Sequence, residues 1–365
     1  MESVKYWVAL NMVLGVGKTL FHRLVGALGS PEKVFGASPA ELMGVEGIGK
    51  KTAAEIKGFN VDAQVEREFR LAEKLEIRIL TVESPEFPSL LREIYDPPPI
   101  IYCRGIPLDR FAVPLAVVGT RVPSAYGKMA TERICDALAS RGITVVSGFA
   151  RGIDTLAHNS ALKAGGMTAA VFGCGLNHTY PPENSKLKDK ILQNGAIISE
   201  FPISAGPERN NFPARNRIIS GMSHGSIIVE AGEKSGALIT AQFALEQGRE
   251  VFSVPGNIFS PNSRGTNRLI KTGAKLIDGL DAIIEELPLA AQAKLRDKSS
   301  ASPVEKQSLS EKEKMVISLL SFEERHIDSL IESSRLSPAE VSATLVQLEL
   351  RGLVRQMEGK RFVSV

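Results

Sequence analysis

Between Pro114 and Gly232 one pattern recurs four times: a short apolar run ends in glycine or a small polar residue and gives way to helical spacing. Leu115 to Val118, Thr144 to Val146, Ala169 to Phe172 and Ile227 to Val229 are apolar almost throughout, which predicts strands buried on both faces of a parallel sheet. The alternation runs on through a helix (Gly236 to Gln247), a strand (Glu250 to Val254), a helix (Thr266 to Thr272), a strand (Ala274 to Ile277) and a last helix from about Leu280. Such a succession predicts a right-handed, doubly wound α/β sheet. Ahead of it, a mixed-charge helix over Val61 to Glu76 leads to a strand over Ile77 to Val82, and Pro97-Pro98-Pro99 precedes Ile100-Ile101-Tyr102. The prolines assign these two short strands to edges or loops.

The flanks follow other patterns. Gly15-Val16-Gly17-Lys18 recurs as Gly47-Ile48-Gly49-Lys50, each before a helical stretch. The repeat fits a pair of helix-hairpin-helix units, whose turns can offer backbone N–H groups to a DNA phosphate, or a small helical bundle in which glycine only permits a tight turn. Past Pro288 the pattern dissolves into Ala, Lys, Ser and Pro, the composition of a linker. Leu309 to Val365 then predicts three helices and a terminal hairpin turned at Gly359, the winged-helix pattern. The expected division is a helical module over 1–76, the sheet domain over 77–287, a linker over 288–308 and a winged helix over 309–365.

Composition is that of a globular protein, with 43% hydrophobic and 23% charged residues. No apolar run approaches a membrane span, and the N-terminus MESVKYWVALNMV has no signal-peptide pattern, so a cytoplasmic protein is expected. The 3 cysteines (Cys103, Cys135, Cys174) and 5 histidines show no metal-ligand spacing. Net charge is only +3, but Pro114 to Gly279 carry 18 Lys/Arg against 12 Asp/Glu, while each remaining part sums to −1. A polyanion should therefore bind the sheet domain.

In an open α/β sheet, ligands bind beyond the carboxyl ends of the strands, where Gly119, Gly148 and Gly173 would let backbone approach closely. After Gly119-Thr120-Arg121 the second and third glycines of a dinucleotide fingerprint are missing, and there is no phosphate-loop lysine, so no cofactor is expected. Arg121 instead suits a phosphate held in bidentate fashion. Ser147, Gly148 and Gly152 in SGFARGID form a candidate phosphate or oxyanion cradle. Ser147 lacks a nucleophile-elbow context, and His158, one turn past Asp154, is placed to pair with it structurally. Arg209-Asn210-Asn211-Phe212-Pro213-Ala214-Arg215-Asn216-Arg217 joins cations to an aromatic, the means of single-strand binding: Arg209 for the backbone, Phe212 for a base. Arg215, Asn216 and Arg217 either contact the strand or tie the helix start to nearby loops, as polar residues at helix starts commonly do. Glu230 is a candidate base only beside a bound small ligand, and otherwise a carboxylate ordering the Gly232 and Ser235 amides. No carboxylate cluster has two-metal nuclease spacing.

The ordered set GTR at Gly119, SGFARGID at Ser147, GCGLNHTYPPEN at Gly173, SEFP at Ser199, FPARNRIISG at Phe212 and SGALITA at Ser235 closely resembles the DNA-processing protein A (DprA, or Smf) family over almost the whole chain. The resemblance implies an extended Rossmann-like domain that binds single-stranded DNA, protects it and helps load the RecA recombinase during natural transformation. It also implies a homodimer with no catalytic residue and no metal. Arg121, Arg209 and Phe212 match family positions associated with DNA contact. The candidate DNA-binding set is Gly119, Thr120, Arg121, Ser147, Gly148, Gly152, Arg209, Asn211, Phe212, Arg215, Asn216 and Arg217. A rival resemblance, to nucleotide phosphoribohydrolases acting through Glu230, lacks the PGG-x-GT stretch: Pro255-Gly256-Asn257 stands well after Glu230. A sequence-specific regulator using the winged helix is disfavoured, because Pro338 to Arg351 holds no Lys or Arg before Arg351. Protein contacts or modulation of the dimer are expected of that module.

Overall fold

A computed structural model describes residues 2–299, 310–320, 325–334, 336–351, 353–357 and 359–364. The chain divides into two compact units, Met1–Ser299 and Ser300–Val365. Nine strands organise the first: β1 (Arg78–Thr81), β2 (Ile100–Gly105), β3 (Leu115–Val118), β4 (Val145–Ser147), β5 (Thr168–Val171), β6 (Gly195–Ser199), β7 (Gly225–Ile228), β8 (Glu250–Ser253) and β9 (Lys275–Leu276). Their order is β1-β2-β6-β5-β4-β3-β7-β8-β9. All pairings from β6 to β9 are parallel, and β2 and β1 add antiparallel strands at one side. The sheet is covered on both faces, which is why its strands lack polar alternation. Leu115 and Val117 of β3 pack with Cys135 and Ile153 on one side, while Ala116 and Val118 pack with Ile218 and Ala241 on the other. From β3 the chain winds outward to β6, then returns beside β3 as β7, so the topological switch point lies between β3 and β7.

Three features depart from the sequence expectations. β6, built on Ala196-Ile197-Ile198, is an additional strand lying between β5 and β2. β2 is interior, bonded to β1 and β6; Pro97 to Pro99 end before it begins, so the ladder loses no N–H to proline. The stretch expected to begin a linker is instead a helix, Leu289–Ser299. Its Ala291 and Leu295, one helical turn apart, are buried against the core that holds Val113 and Ile283. The rest of the expected linker, 300–308, lies outside the described residues.

The N-terminal helices are not a separate body. Trp7, Leu10, Phe21 and Leu24 share one core with Ile100, Tyr102 and Ile197 of the sheet. In the two hairpin turns Gly15 and Gly47 take φ of +87° and +89°, a region in which a side chain would be strained, and the following helices start after Gly17 and Gly49. The first hairpin faces the sheet domain: Lys18 pairs with Asp96, and His22 Nε2 lies 2.8 Å from the Pro97 carbonyl. In the second, Lys50 and Lys51 remain exposed.

The second unit holds helices Glu311–Leu319, Ile327–Ser334 and Pro338–Leu350 with strands β10 (Arg325–His326), β11 (Val354–Met357) and β12 (Arg361–Ser364) in the order β10-β12-β11. Ser310 and Ser337 open capping boxes with Glu313 and Glu340, which fix two of the helix starts. Val316, Leu330, Val341, Leu345, Leu348 and Phe362 form its core. Among the described residues no helix is long and apolar enough to cross a membrane.

Candidate nucleic-acid interface

The loops after β3, β4 and β5 interlock at one end of the sheet. Gly152, at φ +77°, brings the turn before helix Ile153–Lys163 against Thr120 and Arg121. A Cβ there would lie 2.4 Å from the Thr120 carbonyl oxygen, so only glycine fits. The Ile153 N–H donates to that carbonyl at 3.1 Å, and the Thr120 N–H donates to the Glu230 carbonyl at 2.7 Å. Arg121 is thereby held at the mouth of the crevice, exposed and, among the described residues, in no ion pair. Arg209, just ahead of helix Asn211–Gly221, is likewise exposed and in no ion pair among the described residues. Phe212, in the first turn of that helix, is half-buried over Gly173; a Cβ on this glycine would come within 2.7 Å of the ring. Tyr180, 40% exposed, faces Phe212 with ring centroids 5.2 Å apart. Two exposed cations and an aromatic pair thus stand on the loops at one end of the sheet.

Beneath these loops lies a buried polar layer. The Arg215 guanidinium donates to the Gly148 carbonyl at 2.5 Å and to the Val171 carbonyl, which ties the ends of β4 and β5 to the helix. Burial draws its pKa down to about 10, with Asp154 opposing, so it stays charged at neutral pH. Asp154 is raised by burial, with Arg215 pulling the other way, and accepts from the Ala150 N–H at 3.3 Å. Gly148 separates the two: a Cβ would meet the Asp154 Oδ2 at 2.6 Å and the Arg215 Nη2 at 2.8 Å. These glycines make room for protein groups more than for a ligand. Arg217 is 1% exposed and pairs with Glu200 and, at 3.5 Å, with Asp96.

The family described as DNA recombination-mediator protein A matches residues 78–288, a DprA winged helix domain matches 300–360, and a SAM-like helix-hairpin-helix tandem matches 9–57. Protein Smf of Synechocystis sp. is 36% identical over 98% of both chains. The chain belongs to the DprA/Smf family. The DNA processing protein DprA of Bacillus subtilis is 44% identical over 58% of this chain and 72% of its own. The X-ray structure of DprA from Streptococcus pneumoniae superposes with a TM-score of 0.69 at 32% identity, covering 78% of this chain and 98% of that one. DNA processing protein A from Helicobacter pylori, whose structure concerns a single-stranded DNA binding mode, superposes at 0.53 with 31% identity, covering 61% and 97%.

Within this DprA/Smf chain several expected site residues point inward. Ser147 is fully buried and its hydroxyl donates to the Val117 carbonyl at 2.6 Å, so it joins β4 to β3 and lines no cradle. Arg215 and Arg217 are buried, and Asn216 donates to the Gly236 carbonyl at 3.3 Å, tying helix to loop as the second of the two sequence alternatives has it. Gly119 is crowded by Ile153 and the Glu230 carbonyl. Asn211 is half-buried at the helix start. His158 does not meet Asp154; its Nδ1 lies 2.7 Å from the Thr168 hydroxyl. Glu230, 2% exposed, does not order Gly232 or Ser235 but accepts from the Ser124 N–H at 2.9 Å and hydroxyl at 2.7 Å. That engagement holds the start of helix Ala125–Ser140 and counts against an acid–base role. Among the described residues no group of His, Cys, Asp and Glu could hold a metal. Sequence reasoning did not single out Tyr180, although an aromatic before Pro181-Pro182 beside two glycines was a visible signal.

Proposed function

We propose that this protein binds single-stranded DNA along the carboxyl ends of β3 to β5, protects it, and helps load a RecA recombinase onto it in natural transformation. It acts in the cytoplasm as a homodimer and without catalysis. One observation carries the reading: exposed Arg121 and Arg209 stand with the Phe212–Tyr180 pair on the loops at one end of the sheet. Cations that track a backbone beside rings that accept bases are the two components of sequence-tolerant single-strand binding. The DNA-processing names of the relatives and the single-stranded DNA binding of the Helicobacter pylori homologue support it.

Fluorescence anisotropy with a labelled oligothymidylate, titrated across salt, tests it. Arg121→Ala and Arg209→Ala should each weaken binding and flatten the slope of log K against log salt by about 0.7. Phe212→Ala should cost about 1–3 kcal/mol of affinity with the slope unchanged. A double arginine variant that keeps both affinity and slope would place the strand elsewhere.

A further inference from the structure

The carboxyl ends of β7 and β8 form a second feature that the proposed strand path leaves unused. A cleft of about 600 Å³ opens there, lined by Ser124, Tyr126, Glu230, Asn257, Ser260 and Ser263 with Pro255 and Gly256. Its floor holds no cation. Tyr126 already donates to the Pro255 carbonyl at 2.7 Å, and Glu230 is engaged by Ser124. The Asn257 Oδ1 accepts from the Phe259 N–H at 2.8 Å, which orders the loop, while the Asn257 Nδ2 and the Ser260 hydroxyl have no partner among the described residues. At the rim stand Phe259, 84% exposed, Ile258, 75%, and Val122, 78%; the Asn262 side chain donates to the Val122 carbonyl at 3.3 Å, joining this loop to the one that carries Arg121. Arg264 and Lys234 are exposed nearby, and neither is in an ion pair among the described residues. The Gly265 N–H donates to the Ala231 carbonyl at 2.8 Å, which holds Arg264 against the end of β7.

An exposed phenylalanine beside exposed arginines, over a cleft without a cation that is lined by hydroxyl groups and the Asn257 amide, suits one chemistry. A phosphate fits the cationic rim, an uncharged planar ring fits the aromatic, and the ring's polar edge fits the floor. A free anion would meet the Glu230 carboxylate instead of a cation. We propose that this cleft is a second base subsite, in which Phe259 stacks a nucleobase of the same strand whose backbone Arg121 holds. The inference rests on the single-stranded DNA reading above. Sheet order supports it: β5, which seats Phe212, and β8, which leads to Phe259, are four places apart with β3 and Arg121 between them. At about 4.8 Å per strand interval the two strands are roughly 19 Å apart, so the loops that carry the two aromatics can span several nucleotides. The bound strand therefore crosses the switch point instead of stopping at Arg121.

Phe259→Trp makes the test direct, because the chain has a single tryptophan, Trp7, and it is buried. Saturating oligothymidylate, with complex formation followed by the anisotropy of a label on the DNA, should quench the new indole; thymidine monophosphate should quench it far less. Phe259→Ala should weaken oligothymidylate binding at least about fivefold, the lower end for one stacked base. An indole unchanged in a complex that anisotropy shows to be saturated overturns the subsite and leaves the Phe212 rim standing. Equal quenching by the mononucleotide overturns it in favour of a free-nucleotide site. A Phe259→Ala protein with normal affinity but an altered sedimentation coefficient overturns it in favour of a protein contact. If the unmodified protein itself gives no anisotropy change, the single-stranded DNA reading falls and this inference with it.

Discussion

Replacing Arg217 by alanine should destabilise the protein by about 3–5 kcal/mol, the range for removing one partner of a buried ion pair. Its guanidinium is 1% exposed and pairs with Glu200, whose side chain is 13% exposed, and with Asp96 at 3.5 Å. Burial raises the Glu200 pKa, while Arg217 and, less strongly, Lys18 pull it down. Without Arg217 the carboxyl rises further. A carboxyl whose folded pKa lies above its unfolded one favours the folded state when protonated and loses that contribution as pH rises through the folded value. The deficit of Arg217→Ala should therefore be largest at neutral pH and shrink as pH falls through the carboxylate range. Glu200→Gln in the same background should recover part of it. Urea unfolding at a series of pH values measures both. A deficit under about 1 kcal/mol, constant with pH, would mean that Glu200 is solvated and the pair is only a surface contact.

This pair also relates the N-terminal module to helix Asn211–Gly221. Asp96 takes both Lys18, from the first hairpin, and Arg217, from the helix that begins at Asn211 and carries Phe212. The helix Val61–Lys74 adds Glu68, 3% exposed, which accepts the Ile203 N–H at 2.6 Å in the loop after β6. The first hairpin's lysine is thus engaged by protein and unavailable to a phosphate, whereas Lys50 and Lys51 of the second are exposed. If the tandem has a DNA contact of its own, it belongs to the second turn.

The parallel strands were legible because burial on both faces leaves runs with almost no polar residue, as in Leu115 to Val118. β6 was less so: its apolar stretch Ala196 to Ile198 is short, and only its place between β5 and β2 makes it part of the sheet. Leu289–Ser299 carries the polar composition of a linker, yet Ala291 and Leu295 suffice to bury one stripe. At the site, sequence assigned Arg209 to the strand backbone but left Arg215 and Arg217 open between strand contact and a structural role. All three sit in one nine-residue stretch, and what distinguishes them is far away: the Gly148 and Val171 carbonyls, Glu200 and Asp96. A cation with no partner nearby in sequence is not thereby free: Arg215 and Arg217 are engaged by distant groups, whereas Arg121 and Arg209 stay exposed. Phe259 was hidden for the opposite reason, since a lone aromatic in a loop has no periodicity to mark it.

Acid should destabilise this protein through His158. The imidazole is fully buried, and its Nδ1 lies 2.7 Å from the Thr168 hydroxyl. That hydroxyl donates its hydrogen to the Val145 carbonyl at 2.8 Å, so toward His158 it can only accept, and Nδ1 carries the proton. Nε2 has no partner and nowhere to place a second proton. Burial, reinforced by Arg215, accordingly lowers the His158 pKa from 6.5 to about 3. The unfolded chain binds the proton more readily, so stability from this group is complete above about pH 6.5 and is lost as pH falls toward 3. At about 1.4 kcal/mol per unit the full shift corresponds to a loss on the order of 5 kcal/mol. Asp154 and Glu200, raised by burial, act in the opposite sense over the lower part of the range. His158→Gln, which cannot titrate, separates the contributions. It should be less stable than the parent at pH 7, because the packing beside Phe149 and Thr168 is disturbed, but its stability should fall much less between pH 6.5 and 4. Parallel pH profiles for the parent and His158→Gln would show that the imidazole is reached by water and charges without cost.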